Sequence, residues 1–484
     1  DKSEFIGSYF GEGQIQKVRK NPYGYEKSIY IPFSMLYVFC RNNRLGVMIM
    51  ALKVGYAKCE ITPKLGAYLQ GHNKKRYAAM VHDPLFLRCV AFENDGLAVM
   101  LNYDLSAMNT NLANKIREQV ASYIDCPVEH VVITCTHTHT GPNCSNMTRE
   151  WDETYVQLLT NLSMHTAGLA KNDLTESQMF AGSTECKGVT FCRRYLMKDG
   201  TARTNPGIGN PDIERPMNDP DYQVVVLKIQ RSGAKDIALV NFGCHADSIK
   251  NVDGIDAVSA DWPGVTCNAV ENALNVECIL FNAPCGDVAQ RDHMAPKETA
   301  KLTSGWSRTV KLGQSVAGAV ISIFDAFMTP VPDGPVKAQV TVLQLPLKRP
   351  TEEELARSRD ILEHEADYLG GNMAKTTDLF EARMLLSVAK TDGYAQALVT
   401  ALRVGGFAAA GSSGEPFCAI GKRIKAETPF EAQFALYFAN GSSGYFPMID
   451  AFSCDGYEAR TCKFQPGVGE LIADTSLQLL NNIK

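Results

Sequence analysis

Two histidines separated by one residue follow an apolar, strand-like segment, Val131-Val-Ile-Thr-Cys-Thr-His-Thr-His-Thr-Gly-Pro142. Because side chains alternate between the two faces of a strand, His137 and His139 are predicted to share the face of the apolar side chains before them. Such a pair suits a zinc site in which one histidine ligates the ion and its neighbour acts on bound water or substrate. A pair of ordinary polar residues at the rim of a sheet would have the same spacing. The rest of the chain must therefore distinguish a metal site from a polar rim.

Four further apolar runs also end in glycine-containing polar loops. These runs cover 237–245, 278–282, 407–415 and 434–440, and they lead to His245, Asn282, Glu415 and Tyr445. Open sheets place their sites at the carboxyl ends of strands, so we expect these ends to converge with the histidine pair.

Each of these residues also has an ordinary structural interpretation. His245 could be a core histidine, Glu415 could be a favourable charge near a helix start, and the tyrosines could be core residues. Asn282 and Asp287 are expected to organise loops rather than perform chemistry.

Helices are predicted between the strands. Three-to-four-residue apolar spacing indicates helices over 111–124, 151–169 and 310–327, and a last helix over 467–480. Thr351-Glu-Glu-Glu354 is a capping box that opens a charged helix. Residues 193–222 are predicted to form one long loop, which is typical of a functional segment.

The amino-acid composition limits the classes of protein to which the chain can belong. The chain has 484 residues, of which 45% are hydrophobic and 21% charged, so it can bury a large core. The net charge of −5, without a basic block, excludes the concentrated positive face that nucleic-acid binding needs. Fifteen cysteines scattered through apolar segments favour free thiols in a reducing compartment, so a cytoplasmic location is expected.

Residues 1–49 lack a sustained hydrophobic period, whereas strand-like order begins at Met50. We expect a poorly organised extension over 1–49, not part of the native domain, which would begin near Met48 or Met50. The apolar run over 28–40 is too short to span a bilayer, and no transmembrane segment is expected.

A set of motifs, in order, resembles the neutral/alkaline ceramidases, which are zinc-dependent amidases that cleave the N-acyl bond of ceramide. The motifs are Thr136-His-Thr-His-Thr-Gly-Pro142, Val240-Asn-Phe-Gly-Cys-His-Ala-Asp-Ser248, Gly414-Glu-Pro-Phe417, and Gly444-Tyr445 with Tyr457. The resemblance covers about residues 52–470. It implies an α/β fold with mixed, largely antiparallel β-sheets and flanking helices in one large catalytic domain, 50–484, without the family's C-terminal β-domain.

The resemblance also implies one zinc ion per chain, bound by His137, His245, Glu415 and Tyr445. His139, with Arg193 and Tyr457, would then be catalytic: zinc-bound water attacks a linear amide carbonyl, and His139 moves a proton to the leaving amine. Zinc, Tyr457 and Arg193 would stabilise the oxyanion. Arg194 could replace Arg193 in this role.

The implied substrate is a small-molecule or lipid N-acyl amide, with ceramide first. Where the family has Asn-Arg-Ser, this chain has Cys192-Arg193-Arg194, and the residues around Glu415 differ from the family's Pro-Gly-Glu-Phe. Two alternatives therefore stay open. The same zinc site could hydrolyse a soluble non-lipid amide or ester, or the chain could be a catalytically silent ligand-binding homologue.

Overall fold

The computed structural model of the chain describes residues 9–10, 14–20, 26–31, 51–72, 74–145, 150–302, 305–369, 371–454 and 456–484. The chain divides into two compact units, Asp1–Ala51 and Leu52–Lys484. In the first unit, three short strands form an antiparallel sheet: β1 (Tyr9–Phe10), β2 (Gln14–Lys20) and β3 (Glu26–Ile31). The expectation that residues 1–49 stand outside the native domain stays a prediction.

The second unit contains all the remaining strands. In chain order these are β4 (Lys53–Glu60), β5 (Met80–Val81), β6 (Phe86–Glu93), β7 (Leu97–Tyr103), β8 (Val131–Cys135), β9 (Thr175–Glu185), β10 (Phe191–Cys192), β11 (Arg194–Met197), β12 (Ala202–Thr204), β13 (Ile213–Pro216), β14 (Gln223–Arg231), β15 (Ile237–Phe242), β16 (Ala257–Val258), β17 (Glu277–Asn282), β18 (Val288–Ala289), β19 (Thr329–Val331), β20 (Val336–Pro346), β21 (Tyr394–Val404), β22 (Phe407–Ser412), β23 (Glu415–Pro416), β24 (Ala432–Leu436) and β25 (Tyr445–Phe446).

The α-helices of the second unit are α1 (Thr110–Ile124), α2 (Glu153–Asn172), α3 (Asp261–Leu274), α4 (Trp306–Ile323), α5 (Glu352–Glu363), α6 (Glu365–Tyr368), α7 (Met373–Val388), α8 (Cys418–Glu427), α9 (Tyr457–Thr461) and α10 (Val468–Asn482). The predicted capping box is present at Thr351, where side chain and backbone bond reciprocally with Glu354. Among the described residues, no helix has the length and apolarity needed to cross a bilayer.

Two sheets form the middle of this unit. The larger has the order β17-β15-β14-β9-β4-β6-β7-β8, with β19 paired to β9, and the smaller has the order β20-β21-β22-β24. Most pairs are antiparallel, whereas β7–β8, β15–β17 and β22–β24 are parallel. The predicted class, a mixed and largely antiparallel α/β fold in one large domain, is confirmed.

The core has three main apolar layers. Apolar residues of the two sheets, including Leu227, Phe281, Leu402 and Phe434, pack face to face between them. Helices α1 and α2 cover one half of the outer face of the larger sheet, α3 and α4 cover the other half, and α8 and α10 cover the smaller sheet. Because both faces of each sheet are covered, the strands consist of nearly continuous apolar residues. Polar side chains that could form a site are therefore found at the strand ends.

Two local predictions were wrong. The strand predicted to continue through His139 ends at Cys135, because His137 adopts a left-handed backbone with φ of 70° that extended pairing cannot accommodate. The region 193–222 is not one structureless loop, since β11 pairs with both β12 and β13 there. Strands this short, separated by tight turns, show no detectable hydrophobic period in the sequence.

An ion pair is buried beneath the strand ends. Arg88 Nη1 lies 2.9 Å from Asp104 Oδ2, and the two residues are 1% and 0% exposed. The backbone N–H of Phe86 also donates to the same carboxylate oxygen. Neither charge can return to water without opening the core, so removing one partner leaves the other uncompensated.

We therefore expect Asp104→Ala to lower the free energy of unfolding by about 3–5 kcal/mol, measured by urea denaturation. As a control, Glu185→Ala removes the exposed partner of Lys187 and should cost less than about 1 kcal/mol. Equal losses in the two variants would contradict the assignment of a structural role to the buried pair.

Candidate metal centre

The two histidines of the opening motif lie in the loop that follows β8. The backbone N–H of His137 donates to Leu105 O, and that of His139 donates to Ala246 O, each at 2.9 Å. His139 is thereby tied to the loop that follows β15. The two Nε2 atoms lie 3.1 Å apart.

The third histidine, His245, lies in the loop that follows β15, and its tautomer is set by the backbone. His245 Nδ1 lies 2.8 Å from Cys285 O, and His137 Nδ1 lies 2.7 Å from Ser106 O. A carbonyl oxygen only accepts, so Nδ1 carries the proton in both rings and the Nε2 lone pairs are available. The Nε2 atoms of His137, His139 and His245 thus form a group able to hold a metal ion.

Asn282, at the end of β17, joins the loops that carry the histidines. Its Nδ2 donates to Thr136 O and Cys244 O, both at 3.1 Å, and its Oδ1 accepts the N–H of Cys244 at 3.2 Å. Its backbone carbonyl accepts the N–H of Tyr437 at 3.1 Å. One buried residue therefore fixes the positions immediately before both His137 and His245, as a loop-organising role predicts.

Glu415 and Tyr445 are held side by side. They are paired residues of the parallel strands β23 and β25, and Glu415 N–H donates to Gly444 O at 2.9 Å. Glu415 Oε2 lies 3.6 Å from the Nε2 atoms of both His137 and His245. The hydroxyl of Tyr437 donates to the same oxygen at 2.9 Å. The structure thus brings three of the four predicted ligands together, with Tyr445 beside them.

The donor set fits zinc. Two ligand atoms on a tetrahedral zinc ion, each about 2.0–2.1 Å from it, are separated by roughly 3.3 Å. Glu415 Oε2 lies within about 0.3 Å of that separation from the Nε2 atoms of both His137 and His245, at 3.6 Å from each. Because ligating histidines must be neutral, their pKa values also matter. Burial lowers the pKa of His137 against the opposing effect of Glu415, and it lowers those of His139 and His245 further, with the neighbouring charges adding to the effect.

Arg193 connects the histidines to the tyrosines. Its Nη1 lies 3.1 Å from His245 Nε2, its Nη2 donates to Tyr445 Oη at 3.1 Å and to Gly286 O at 2.6 Å, and its Nε lies 2.6 Å from Glu458 Oε1. Burial lowers the pKa of Arg193, but Tyr445 and Glu458 more than offset this, so its pKa is raised and it stays cationic.

The same nitrogen of His245 cannot accept from Arg193 and bind a metal at once. Metal binding therefore requires the guanidinium to give up this single contact, while its bonds to Glu458, Gly286 and Tyr445 can remain. Arg194, the alternative candidate, instead lies over the ring of Phe417 and 3.9 Å from Glu458.

Tyr457 stands at the start of α9, with its ring centroid 5.7 Å from that of Tyr445. Sequence reasoning missed the residue beside it, Glu458, which is fully buried and accepts from Arg193 and Thr204. It also missed Tyr437. That tyrosine directly follows β24, so its place at a strand end was a usable signal, whereas nothing in the pattern marked Glu458.

The outer side of His139 is covered by Gly71 and His72. Gly71 has φ of +106°, and a Cβ added there would lie 2.5 Å from His139 Cβ, so the close approach of this backbone requires glycine. The His72 ring packs edge-on against His139 with centroids 5.5 Å apart. Tight packing therefore holds the His139 ring in place even though its Nδ1 is buried without a hydrogen-bond partner among the described residues.

The fold is similar to that of two solved ceramidase structures. A neutral ceramidase from Pseudomonas aeruginosa superposes with a TM-score of 0.68 at 16% identity, over 90% of this chain and 75% of that chain. A ceramidase complexed with C2 gives a TM-score of 0.66 at 15% identity, over 89% and 75%. No protein-family model and no curated protein sequence matches the chain. At such identity the likeness establishes a shared fold.

Asn282→Ala should weaken zinc binding about 10–100-fold, because the loops before His137 and His245 lose their common tether. Zinc affinity can be measured by competition with a chromogenic chelator. Asn241→Ala is a matched control, since Asn241 also donates to two carbonyls, Phe281 O and Ala435 O, and accepts one N–H, but between the two sheets. Both variants should lose stability, and equal zinc affinities would contradict the positioning role of Asn282.

Proposed function

We propose that the chain is a member of the neutral ceramidase family and a zinc-dependent hydrolase of linear N-acyl amides. The observation that carries the proposal is the convergence of one carboxylate oxygen with two imidazole nitrogens, each 3.6 Å from it, at strand ends of a ceramidase fold. Those atoms come from positions 137, 245 and 415, which the sequence motifs single out.

In this proposal His137, His245 and Glu415 hold the ion, and Tyr445 completes the set from its position beside Glu415. Zinc held by such ligands lowers the pKa of a bound water to roughly 7 and polarises a carbonyl. Tyr437 orients Glu415 through the hydrogen bond to Oε2, and Ser106 and Cys285 orient the two imidazoles through their carbonyls.

Hydrolysis adds the oxygen of water to the amide carbon, breaks the carbon–nitrogen bond and delivers a proton to the departing nitrogen. Arg193 is a fixed cation near His245, suited to stabilising the negative charge that develops on the carbonyl oxygen. Tyr457 lies next to Tyr445 and could donate to the same oxygen.

His139 is the proton carrier in this scheme. Burial and the neighbouring histidines lower its pKa, so the ring is neutral, and its Nδ1, buried without a partner among the described residues, is the nitrogen placed to exchange a proton. The Nε2 atom of His139 is also close enough to His137 Nε2 for His139 to be a metal ligand. A proton carrier and a metal ligand make opposite predictions for the zinc content of His139→Ala.

We expect His245→Ala to lose both bound zinc and activity. His139→Ala should retain zinc and lower kcat about 10²–10⁴-fold, the usual contribution of general acid–base catalysis. Zinc is measured by elemental analysis, and activity with a panel of N-acyl amides that includes ceramides of several chain lengths.

His364→Ala, at an exposed histidine that follows the last residue of α5, should change neither quantity. Loss of zinc from His139→Ala would move this residue into the ligand set. A wild-type protein that retains no zinc after supplementation, or that hydrolyses no amide of the panel, would overturn the proposed function.

A further inference from the structure

Glu458 is a buried carboxylate that holds the guanidinium beside the candidate metal centre. It is 0% exposed and belongs to the short helix α9, where it directly follows Tyr457. Its Oε1 accepts from Arg193 Nε at 2.6 Å, and its Oε2 accepts from Thr204 Oγ1 at 2.7 Å. Both carboxylate oxygens are therefore engaged, and one of them by Arg193.

The bonds of Arg193 turn one of its nitrogens towards the centre. A guanidinium carries its five N–H groups in one rigid plane. Glu458 holds Nε, whereas Gly286 O at 2.6 Å and Tyr445 Oη at 3.1 Å hold Nη2. The remaining nitrogen, Nη1, lies 3.1 Å from His245 Nε2. Because the plane is rigid, the acceptors on Nε and Nη2 fix the direction in which Nη1 points.

Glu458 is the strongest of these three acceptors. It forms an ion pair with Arg193, and charge-assisted hydrogen bonds are roughly twice as strong as neutral ones. The other two acceptors are a backbone carbonyl and a phenol, whose ring also lies under the guanidinium at 5.6 Å. The alignment of Arg193 therefore depends mainly on the carboxylate of Glu458.

Helix α9 is fixed from the side away from the centre. A helix of five residues is not stable by itself, so tertiary contacts must hold it. Arg460 bonds to Asp378 Oδ1 at 2.8 Å and to Glu381 Oε1 at 3.1 Å, both on α7. Lys348 Nζ donates to the carbonyls of Ala459 and Arg460, at 2.8 and 3.1 Å. The carboxylate of Glu458 is thus presented to Arg193 from a backbone that is held at its other end.

We propose that Glu458 is a positioning residue for amide hydrolysis, which fixes Arg193 so that Nη1 faces the carbonyl oxygen of the substrate. The inference rests on the proposed function, in which Arg193 stabilises the negative charge on that oxygen. Once His245 Nε2 serves as a ligand, its contact with Nη1 is released, and Nη1 can donate to the oxygen instead. Glu458 touches no reacting atom and acts only through Arg193.

Glu458→Ala should lower kcat about 10²-fold, because Arg193 loses its anchor and Nη1 its direction. KM should change less than about threefold, since the bond to the oxygen strengthens only in the transition state. Glu458→Gln keeps a neutral acceptor for Arg193 Nε and should lose only about tenfold in kcat. Activity is measured on an N-acyl amide that the wild type hydrolyses, and elemental analysis should find zinc retained in both variants.

Glu427→Gln is the matched control. It removes the same charge from a carboxylate that accepts from Arg423 Nε at 3.0 Å on the surface of α8, and it should leave kcat unchanged. An unchanged kcat in Glu458→Gln, or equal losses in Glu458→Gln and Glu458→Ala, would overturn the positioning role. If Glu458→Ala does not fold, Glu458→Gln carries the test.

A double variant tests whether Glu458 acts through Arg193. Arg193→Met combined with Glu458→Gln removes both buried charges together, so neither is left uncompensated. The double variant should be as slow as Arg193→Met alone, within about twofold, because the anchor has no guanidinium left to position. Losses that multiply would show that Glu458 acts independently of Arg193 and would overturn the proposal.

Crystal structures distinguish a failure of this proposal from a failure of the proposed function. If the wild type hydrolyses no N-acyl amide, the proposed function fails, and the anchoring of Arg193 is judged from its position in the wild type and in Glu458→Ala, or in Glu458→Gln if the former does not fold. Displacement of Nη1 by about 1 Å or more would support the anchoring by Glu458. A guanidinium that keeps its bonds to Gly286 and Tyr445 would overturn it.

Discussion

The candidate centre depends on one buried amide. Asn282 bonds to the residues immediately before His137 and His245, and its own carbonyl receives the N–H of Tyr437, which in turn donates to Glu415. Three segments that are distant in sequence are thus held by the side chain and the backbone carbonyl of a single residue. Since an asparagine offers two donors and an acceptor in one rigid plane, it fixes both distance and orientation between the loops.

Similar asparagines join the two sheets away from the centre. Asn241 links β15 to β24, and Asn440 bonds through its backbone and side chain to Ile133, at the edge strand β8, and to Thr400. Asn440 replaces strand pairing at the edge strand β8, whereas Asn241 bonds to β24 from within the paired strand β15. Fully satisfied polar groups of this kind are favourable in a core, but each becomes costly if one partner moves. The sheets therefore resist the shear that would separate the ligand atoms.

The sequence predicted the strand ends better than the loops between them. Apolar runs that stop at glycine and polar residues are local signals in the sequence. They identified the positions of His137, His245, Asn282 and Glu415, and these residues do converge in the structure. Tyr437 stands at such a strand end and was overlooked, whereas Glu458 could not be found in this way, because its partners Arg193 and Thr204 are 265 and 254 residues away in the sequence. The left-handed turn at His137 was also hidden, since it is the tertiary bonds to Leu105 and Ser106 that favour a conformation rare for histidine.

The wide separation of the ligand positions along the chain has a kinetic consequence. His137, His245 and Glu415 follow the strands β8, β15 and β22, whose pairings with β7, β17 and β24 close long loops. Such contacts form late in folding, because the entropic cost of closing the loop is incurred before the contacts stabilise the chain. A metal ion can therefore find its full set of ligands only in a chain whose two sheets have already assembled. It cannot nucleate folding as it does in a zinc finger, where the ligands are close in sequence. It would instead bind the finished fold and slow its unfolding, so that retention of the ion reports on the integrity of both sheets at once.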